Sequence, residues 1–236
     1  MIRRTAQIAA GLTSAEYVVA TDDAAIETHC QKFDLPVVMT DSDLPAGSDR
    51  TLSAANLFNS KAGIIVNLQG DAPFTDRSHI LAILKRLEEG DVDIATPAIQ
   101  LSWEALDQLR SDKETTPFSG TTVIESEGRA LWFSKTIIPA IRAEKSLRSE
   151  NKHSPILRHV GLYGYRRDAL AQFTKLPQSH FEKLEGLEQL RALENGLSIA
   201  IVKVPAPHIS MPGIDTKEDL SRAEALIEKH GDPFFT

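Results

Sequence analysis

Residues 63–73 read GIIVNLQGDAP, and this stretch indicates the fold more strongly than any other part of the chain. Apolar side chains at 64–66 and at 68 occupy both faces of a strand, as they do in a parallel strand covered by helices. The run ends in Gln69, Gly70 and Asp71. Because ligands of open parallel sheets bind at the carboxyl ends of the strands, the stretch predicts a central strand whose end carries a candidate site.

Helix-like and strand-like segments alternate on both sides of this strand. Before it we predict a helix that ends near Gly11, a strand at 16–23, a helix at 24–33, a strand at 36–40 and a helix at 51–60. After it we predict a helix at 76–90, a strand at 93–99, a helix and loop at 102–120, two strands within 121–135, an exposed charged loop at 142–154, a strand and helix over 159–173, a helix at 183–196, a strand at 198–206 and a last helix capped by Thr216. This order predicts an α/β fold with a doubly wound, mostly parallel sheet and a smaller antiparallel excursion at about 100–165 of a single domain, 1–236.

Composition limits the classes of function. The chain has 236 residues, of which 42% are hydrophobic and 25% charged, as in a soluble globular protein. A net charge of −7 argues against a general nucleic-acid binder. Cys30 is the only cysteine, so it forms no internal disulfide and is predicted to be a buried, inert thiol. Because no signal peptide or long apolar segment is recognisable, we predict a cytoplasmic protein without a membrane or nucleic-acid partner.

Two carboxylates are candidates for a divalent cation. Asp71 and Asp215 each follow a predicted strand or loop end, and Mg²⁺ commonly binds one or two protein carboxylates together with substrate phosphates. The alternative is that Asp71 caps the following turn and Asp215 supports a helix N-terminus. Spacing alone leaves both interpretations open.

Three further groups of residues are candidates for ligand contacts. The loop PAGSDR, 45–50, combines a glycine, a hydroxyl and Arg50 before a helix, a pattern typical of anion binding, although a solvated turn is the alternative. His159 and Tyr163 are four residues apart in a predicted strand and would share one face, either to orient a ligand or to pack in the core. Glu188 and Gln189 lie in a predicted helix, and simple solvent exposure is their alternative.

Taken in order, seven motifs resemble one family, the 3-deoxy-manno-octulosonate (Kdo) cytidylyltransferases. They are VATDD at 19–23, VVMTDSDLPAGSDR at 37–50, IIVNLQGDAP at 64–73, ALWFSKTIIP at 130–139, HVGLYGYR at 159–166, LEGLEQLRALENG at 184–196 and GIDTKEDL at 213–220. Ordered matches along almost the whole chain are much more specific than any single motif.

The resemblance implies a nucleotidyltransferase fold, a homodimer, and activation of Kdo with CTP for lipopolysaccharide biosynthesis. In that reaction the anomeric hydroxyl of Kdo attacks the α-phosphorus of CTP and pyrophosphate leaves. By position, Asp71 and Asp215 match the catalytic magnesium ligands. The nucleotide contacts implied are Gly47, Ser48, Arg50 and Gln69, with Gln69 also matching a sugar-site position. The sugar contacts implied are Lys135, His159, Tyr163, Glu188 and Gln189.

Three departures from the family pattern leave alternatives open. The family's N-terminal loop, of the form PAR…RLPGKPL, wraps the triphosphate and has no counterpart before MIRRTAQIAA, so we expect either a start further upstream or a truncated, weakly active chain. Ala72 follows Asp71 where the family usually has an acidic or amide residue. Lys135 stands where the family generally has arginine. The alternatives are therefore a sugar- or nucleotide-binding remnant, an assembly partner, or a cytidylyltransferase for another sugar acid, such as an amino-substituted Kdo or sialic acid.

Overall fold

The chain divides into two units, of which the first comprises residues 1–81 and 206–236 and the second residues 82–205. The computed structural model describes residues 1–207, 211, 213–214 and 216–231. Residues 1–81 form α1 (Ile2–Ala10), β1 (Val19–Thr21), α2 (Ala24–Lys32), β2 (Val37–Met39), α3 (Gly47–Leu57), β3 (Ile64–Asn67) and the start of α4 (Arg77–Glu88). The second unit continues with β4 (Ile94–Ser102), α5 (Trp103–Thr115), β5 (Thr122–Ser126), β6 (Arg129–Ser134), α6 (Glu144–Glu150), β7 (His153–His159), β8 (Tyr163–Arg166), α7 (Arg167–Phe173), α8 (His180–Glu185), α9 (Gln189–Glu194) and β9 (Ile199–Lys203), and the first unit resumes with α10 (Lys217–His230).

In the first unit, β1 and β2 are short parallel neighbours, with Val19 opposite Val37. Their apolar side chains pack with α1 and α2 in a core that includes Ala6, Val19 and Cys30. Cys30 is completely buried, and burial raises the pKa of its thiol, which keeps it protonated. The prediction of a buried, inert cysteine is confirmed.

In the second unit, the buried strand β4 organises a mixed sheet. One edge of β4 pairs with β9 in parallel from Ile94 to Ala98. Its other edge pairs antiparallel with β8 at Ile94 and Ala95 and then with β7 from Ala98 onward. β4 therefore aligns the ends of β7 and β8 along one edge.

Strands β5 and β6 form the predicted hairpin. Glu127 and Gly128 connect them with φ angles of 52° and 76°, and a two-residue loop with two positive φ angles matches the right-handed twist of the strands. β5 also pairs with β7, which extends the antiparallel part of the sheet. No helix in the described ranges is long and apolar enough to span a membrane.

The predicted exposed loop at 142–154 is wrong, because the segment contains α6 and the start of β7. Glu144 of α6 accepts hydrogen bonds of 2.8 and 2.7 Å from Arg110 of α5 and another of 2.7 Å from Arg148 one turn later. Pairs four residues apart stabilise a helix, and Arg110 adds a partner that is remote in sequence. The charges that suggested a solvated loop therefore fix a helix.

Two continuous elements predicted from the sequence are each interrupted. The strand predicted from His159 through Tyr163 is divided between β7 and β8, and the chain turns at Val160–Leu162, where the Leu162 amide donates to the carbonyl of Val160 (2.7 Å). The helix predicted at 183–196 is divided into α8 and α9 by Gly186, whose φ of 63° and ψ of 38° place it in the left-handed region. Glycine adopts this conformation without steric cost and ends the helix there.

Candidate active site

The start of α3 contains three of the predicted nucleotide contacts. The sequence predicts a loop at Gly47, Ser48 and Arg50 and a helix start at residue 51, whereas α3 begins at Gly47 and includes all three residues. Its N-cap is Ala46, whose methyl group cannot accept a hydrogen bond from the first amides of the helix. The positive end of a helix attracts anions. The predicted anion contact thus moves from a loop to the first turn of a helix.

Arg50 links the ends of the two parallel strands in the first unit. Its Nη2 donates to Oδ2 of Asp22 (2.8 Å) and its Nη1 donates to Oγ1 of Thr40 (2.5 Å). Thr40 in turn donates to the carbonyl of Thr21 (3.2 Å). A guanidinium has five N–H donors, so these two bonds orient Arg50 and leave further donors for a ligand.

Asp71 lies in a tight turn that follows β3. The turn is closed by the Ala72 amide, which donates to the carbonyl of Gln69 (3.2 Å). Oγ1 of Thr5 in α1 donates to the carbonyl of Gly70 (3.0 Å), and the Ile214 amide donates to the carbonyl of Asp71 (2.9 Å). Backbone contacts on two sides therefore fix the turn, and with it the origin of the Asp71 side chain.

Gly213 approaches the Asp71 carboxylate so closely that a Cβ atom at 213 would overlap Oδ2 of Asp71. Only glycine, which has no Cβ atom, allows so close an approach. Asp215, the second predicted metal ligand, lies outside the described residues. Its role as a metal ligand therefore stays a prediction from the sequence.

Two helix starts of the first unit are capped by side chains other than Asp71. Asp76 caps the start of α4, because its carboxylate accepts a hydrogen bond from the Ser78 amide (2.8 Å). At the start of α10, Thr216 accepts from the Asp219 amide (3.1 Å) and donates its own amide to Asp219 (3.0 Å), which confirms the predicted capping box.

The first unit's donor set fits a hard cation that is completed by phosphates. No group of three or more His, Cys, Asp or Glu side chains able to hold a metal ion occurs among the described residues. Mg²⁺ usually binds one or two carboxylates, several waters and substrate phosphates, so it needs no such group. The Asp71 carboxylate can supply one oxygen ligand for this type of coordination.

In the second unit, β4 brings His159 and Tyr163 together although they belong to different strands. The two rings are 5.3 Å apart, and Phe133 packs edge-on against His159 at 5.2 Å. The single strand that the sequence predicts is wrong, but the proximity of the two side chains is correct. Pairing of both strands with one edge of β4 produces it.

The hydrogen bonds of Thr96 assign the tautomer of His159. The Thr96 hydroxyl is 2.9 Å from Nε2 of His159 and donates its one proton to the carbonyl of Leu162 (2.8 Å), so Nε2–H of His159 donates to the hydroxyl oxygen. Burial, followed by the nearby Lys135 cation, lowers the pKa of His159 from 6.5 to about 3. His159 is thus a neutral imidazole at neutral pH, with Nδ1 as a hydrogen-bond acceptor.

Glu188 and Gln189 lie where α9 begins. Burial raises the pKa of Tyr163 well above its ordinary value, and the charges of Tyr165 and Glu188 raise it further, so the Glu188 carboxylate is near this phenol. Gln189 is only 8% exposed, and its Nε2 is buried without a hydrogen-bond partner in the described part of the chain. Leaving a buried donor unpaired costs about 1–3 kcal/mol. Solvent exposure, the alternative for Gln189, is therefore excluded.

Lys135 lies one residue beyond the end of β6. Its backbone amide donates to Oε2 of Glu185 (2.8 Å), and its carbonyl accepts from Nζ of Lys113 (2.6 Å). Its effect on the pKa of His159 places its charge near that imidazole. The second unit thus brings together one cation, a neutral imidazole, a phenol and a carboxylate, and the residue after that carboxylate carries a buried amide. This set is suited to a hydroxylated carboxylic acid.

Sequence reasoning missed the residues that hold these side chains. Thr96 orients His159, while Lys113 and Glu185 hold the backbone of Lys135. Glu185 lies inside the motif at 184–196, so the resemblance contained a signal for it. Lys113 and Thr96 lie in none of the seven motifs, and only contacts remote in sequence reveal them.

Comparisons with known proteins show the family to which the chain belongs. A family model described as cytidylyltransferase matches residues 1–199. The chain is 39% identical over 235 residues to a 3-deoxy-manno-octulosonate cytidylyltransferase of Maricaulis maris, covering 98% of this chain and 88% of that protein. It is 37% identical over 220 residues to the protein of the same name from Rickettsia bellii, covering 92% and 81%.

Solved structures show the same fold. A CMP:2-keto-3-deoxy-manno-octonic acid synthetase in complex with CTP superimposes with a TM-score of 0.80 and 31% identity, covering 97% of this chain and 87% of that one. This likeness confirms the predicted α/β fold class. A 4-diphosphocytidyl-2C-methyl-D-erythritol synthase from Anaerococcus prevotii has a TM-score of 0.57 and 13% identity, which is a similarity of fold alone.

Proposed function

Because the chain belongs to the cytidylyltransferase family, we propose that it transfers the cytidylyl group of CTP to Kdo with release of pyrophosphate. Relatives of that name match almost the whole chain, and the similar solved structure contains CTP. The observation that carries the choice of a sugar acid is the buried, unpartnered Nε2 of Gln189 beside Glu188, in the second unit's cluster of polar side chains. A ligand hydroxyl would satisfy this donor.

The first unit supplies the nucleotide contacts in this proposal. The first turn of α3, which contains Gly47 and Ser48, binds a phosphate or the nucleotide's polar groups through the positive end of the helix, and Arg50, oriented by Asp22, offers its remaining donors. Gln69 lies in the same turn as Asp71. We propose that Asp71 holds Mg²⁺, with Asp215 as a second ligand. When bound, the ion neutralises the charge that develops on the phosphates and favours loss of the proton from the attacking hydroxyl.

The second unit supplies the sugar contacts. Lys135 pairs with the carboxylate of Kdo, while Tyr163, Glu188 and Gln189 contact its hydroxyls. An imidazole with a pKa of about 3 is too weak a base to take up a proton at neutral pH, so His159 acts through Nδ1 as a hydrogen-bond acceptor that orients the sugar. The anomeric oxygen forms the new bond to the α-phosphorus as the bond to pyrophosphate breaks.

We further propose that the protein acts as a cytoplasmic homodimer in lipopolysaccharide biosynthesis. Large apolar side chains of the second unit support a self-association surface: Leu131 is 57% exposed and Leu184 68%, and Phe181, which packs against Trp132, is 44% exposed. Burying such residues favours association. Light scattering coupled to size-exclusion chromatography distinguishes a dimer of the full-length protein from a monomer.

The reaction is tested by following pyrophosphate release from CTP and Mg²⁺ with a panel of sugar acids. We expect release with Kdo and little with sialic acid, and an amino-substituted Kdo tests whether Lys135 broadens the choice of acceptor. Release with sialic acid alone would identify a different cytidylyltransferase. If CTP binds in titration calorimetry but no acceptor supports release, the chain is a nucleotide-binding homologue instead.

A further inference from the structure

The backbone of Lys135 is held on both sides by charged side chains that the proposed reaction does not use. β6 ends at Ser134, so the peptide groups around Lys135 have no strand partner there. The Lys135 amide donates to Oε2 of Glu185 (2.8 Å), and its carbonyl accepts from Nζ of Lys113 (2.6 Å). Such contacts fix the point from which a long, flexible side chain extends.

Glu185 uses both carboxylate oxygens in this task. Oε2 accepts from the Lys135 amide, and Oε1 accepts from the Ser134 hydroxyl (2.8 Å). The same hydroxyl accepts from the Thr136 amide (3.0 Å). Glu185 is the last residue of α8, so it connects a helix end with the segment that leaves β6.

Lys113 connects that segment with α5. Besides the Lys135 carbonyl, its Nζ donates to the carbonyl of Gly120 (2.9 Å) and contacts those of Pro117 and Ser119. Burial lowers the pKa of Lys113, and the nearby positive charge of Lys135 lowers it further. A cation that serves only to cap α5 would not need the contact with residue 135, which is 22 residues away in sequence.

We propose that Lys113 and Glu185 are positioning residues. They hold the two peptide groups that flank the Cα atom of Lys135, so that its ammonium meets the carboxylate of the sugar acid. This inference rests on the proposed function, which assigns Lys135 to the sugar acid. The physical gain is entropic, because a lysine side chain loses several rotatable bonds on binding, and a fixed backbone keeps that loss to the side chain alone.

The test is a double-mutant cycle on the full-length enzyme with Lys113→Met and Lys135→Met. Lys113→Met alone should raise KM for the sugar acid by roughly tenfold, with KM for CTP unchanged. In the Lys135→Met background, the same change should have little further effect, because Lys113 acts through Lys135. Lys145→Met, which removes an exposed lysine from α6 of the same unit, is the matched control for charge and should leave both KM values unchanged.

A second measurement is independent of substrate. Hydrogen exchange at the Lys135 amide should be slow in the parent protein and faster by at least about tenfold in Glu185→Gln, since an amide group accepts less strongly than a carboxylate. Unchanged exchange, or a Lys113→Met effect that persists in full without Lys135, would overturn the proposal. Absence of pyrophosphate release from the parent enzyme would instead contradict the proposed function. The exchange result would then be the test of whether Glu185 fixes the backbone of Lys135.

Discussion

In the first unit the turn that carries Asp71 is fixed through its backbone carbonyls, whereas in the second unit the imidazole of His159 is oriented through its own ring nitrogen. In the first unit, hydrogen bonds to the carbonyls of Gly70 and Asp71 fix the turn, and the start of α3 offers amides. In the second unit, the side chains of Thr96 and Glu185 fix His159 and the segment at Lys135. Backbone amides at a helix start suit phosphates, which all nucleotides share, and a specific set of side chains suits one sugar acid. The two regions should therefore respond differently to substitution.

The largest effect is expected in the first unit. Asp71→Asn removes a charged oxygen ligand but keeps the size of the side chain, so turnover should fall by about 100- to 1000-fold or more. Pyrophosphate release measures the loss, and thermal melting should show an unchanged fold. Asp215→Asn should behave likewise. Near-normal turnover of Asp71→Asn would remove this residue from the metal site and break the comparison.

Gly213→Ala tests whether turnover depends on the exact position of the Asp71 carboxylate as well as on its charge. The new Cβ would overlap Oδ2 of Asp71, and the carboxylate would move because it is the flexible partner. We expect kcat to fall by about 10- to 100-fold with little change in melting temperature. Gly63→Ala is the control, because a Cβ there meets no atom within 4 Å. Equal activities of the two variants would show that the approach of Gly213 does not matter.

Gln189→Met sharpens the other side of the comparison. The change fills the same space without the unpartnered donor, so KM for the sugar acid should rise by about tenfold while KM for CTP stays constant. The free energy of unfolding should be unchanged or higher by about 1 kcal/mol, since a buried, unpaired amide is lost. A destabilised variant with normal KM would mean that Gln189 serves the fold instead of the ligand.

The smallest effect concerns pH. The folded protein keeps His159 neutral down to about pH 3, whereas the unfolded chain protonates this residue near its ordinary pKa of 6.5. His159 therefore supports stability fully above that value and progressively less as the pH falls from 6.5 toward 3. Urea unfolding of the parent and of His159→Gln should show the parent losing more stability between about pH 7 and about pH 5. If the parent and the variant lost the same free energy of unfolding over this range, a neutral His159 in the folded protein would be contradicted.

Local patterns predicted much of the fold. The alternating helices and strands, the Glu127-Gly128 hairpin turn and the capping box at Thr216 each depend on neighbouring residues, and all three are confirmed. The predictions that fail involve partners remote in sequence. Nothing within 142–154 reveals that Arg110 will pair with Glu144, and nothing around His159 reveals that β4 will bend the chain into two strands.

The candidate site follows the same division. The motifs name the side chains proposed to contact ligands, because those residue types carry the chemistry in order along the chain. They do not show that the side-chain nitrogen of Gln189 is buried without a hydrogen-bond partner in the described part of the chain. Nor do they show that Lys113 and Glu185 form hydrogen bonds with the backbone of Lys135. Such facts depend on how distant segments pack. The assigned roles remain predictions for the experiments above.

Gly186 also fixes the spacing between two groups of residues that the proposed site uses. It separates Glu185, which holds the segment at Lys135, from Glu188 and Gln189, which are proposed to contact the sugar. Inserting or deleting one residue here would shift the start of α9 relative to Glu185 and point Gln189 in another direction. The length of this connection should therefore tolerate less variation than the identity of the residues within it. Gly186 itself is an exception, because its left-handed conformation also restricts that position to glycine.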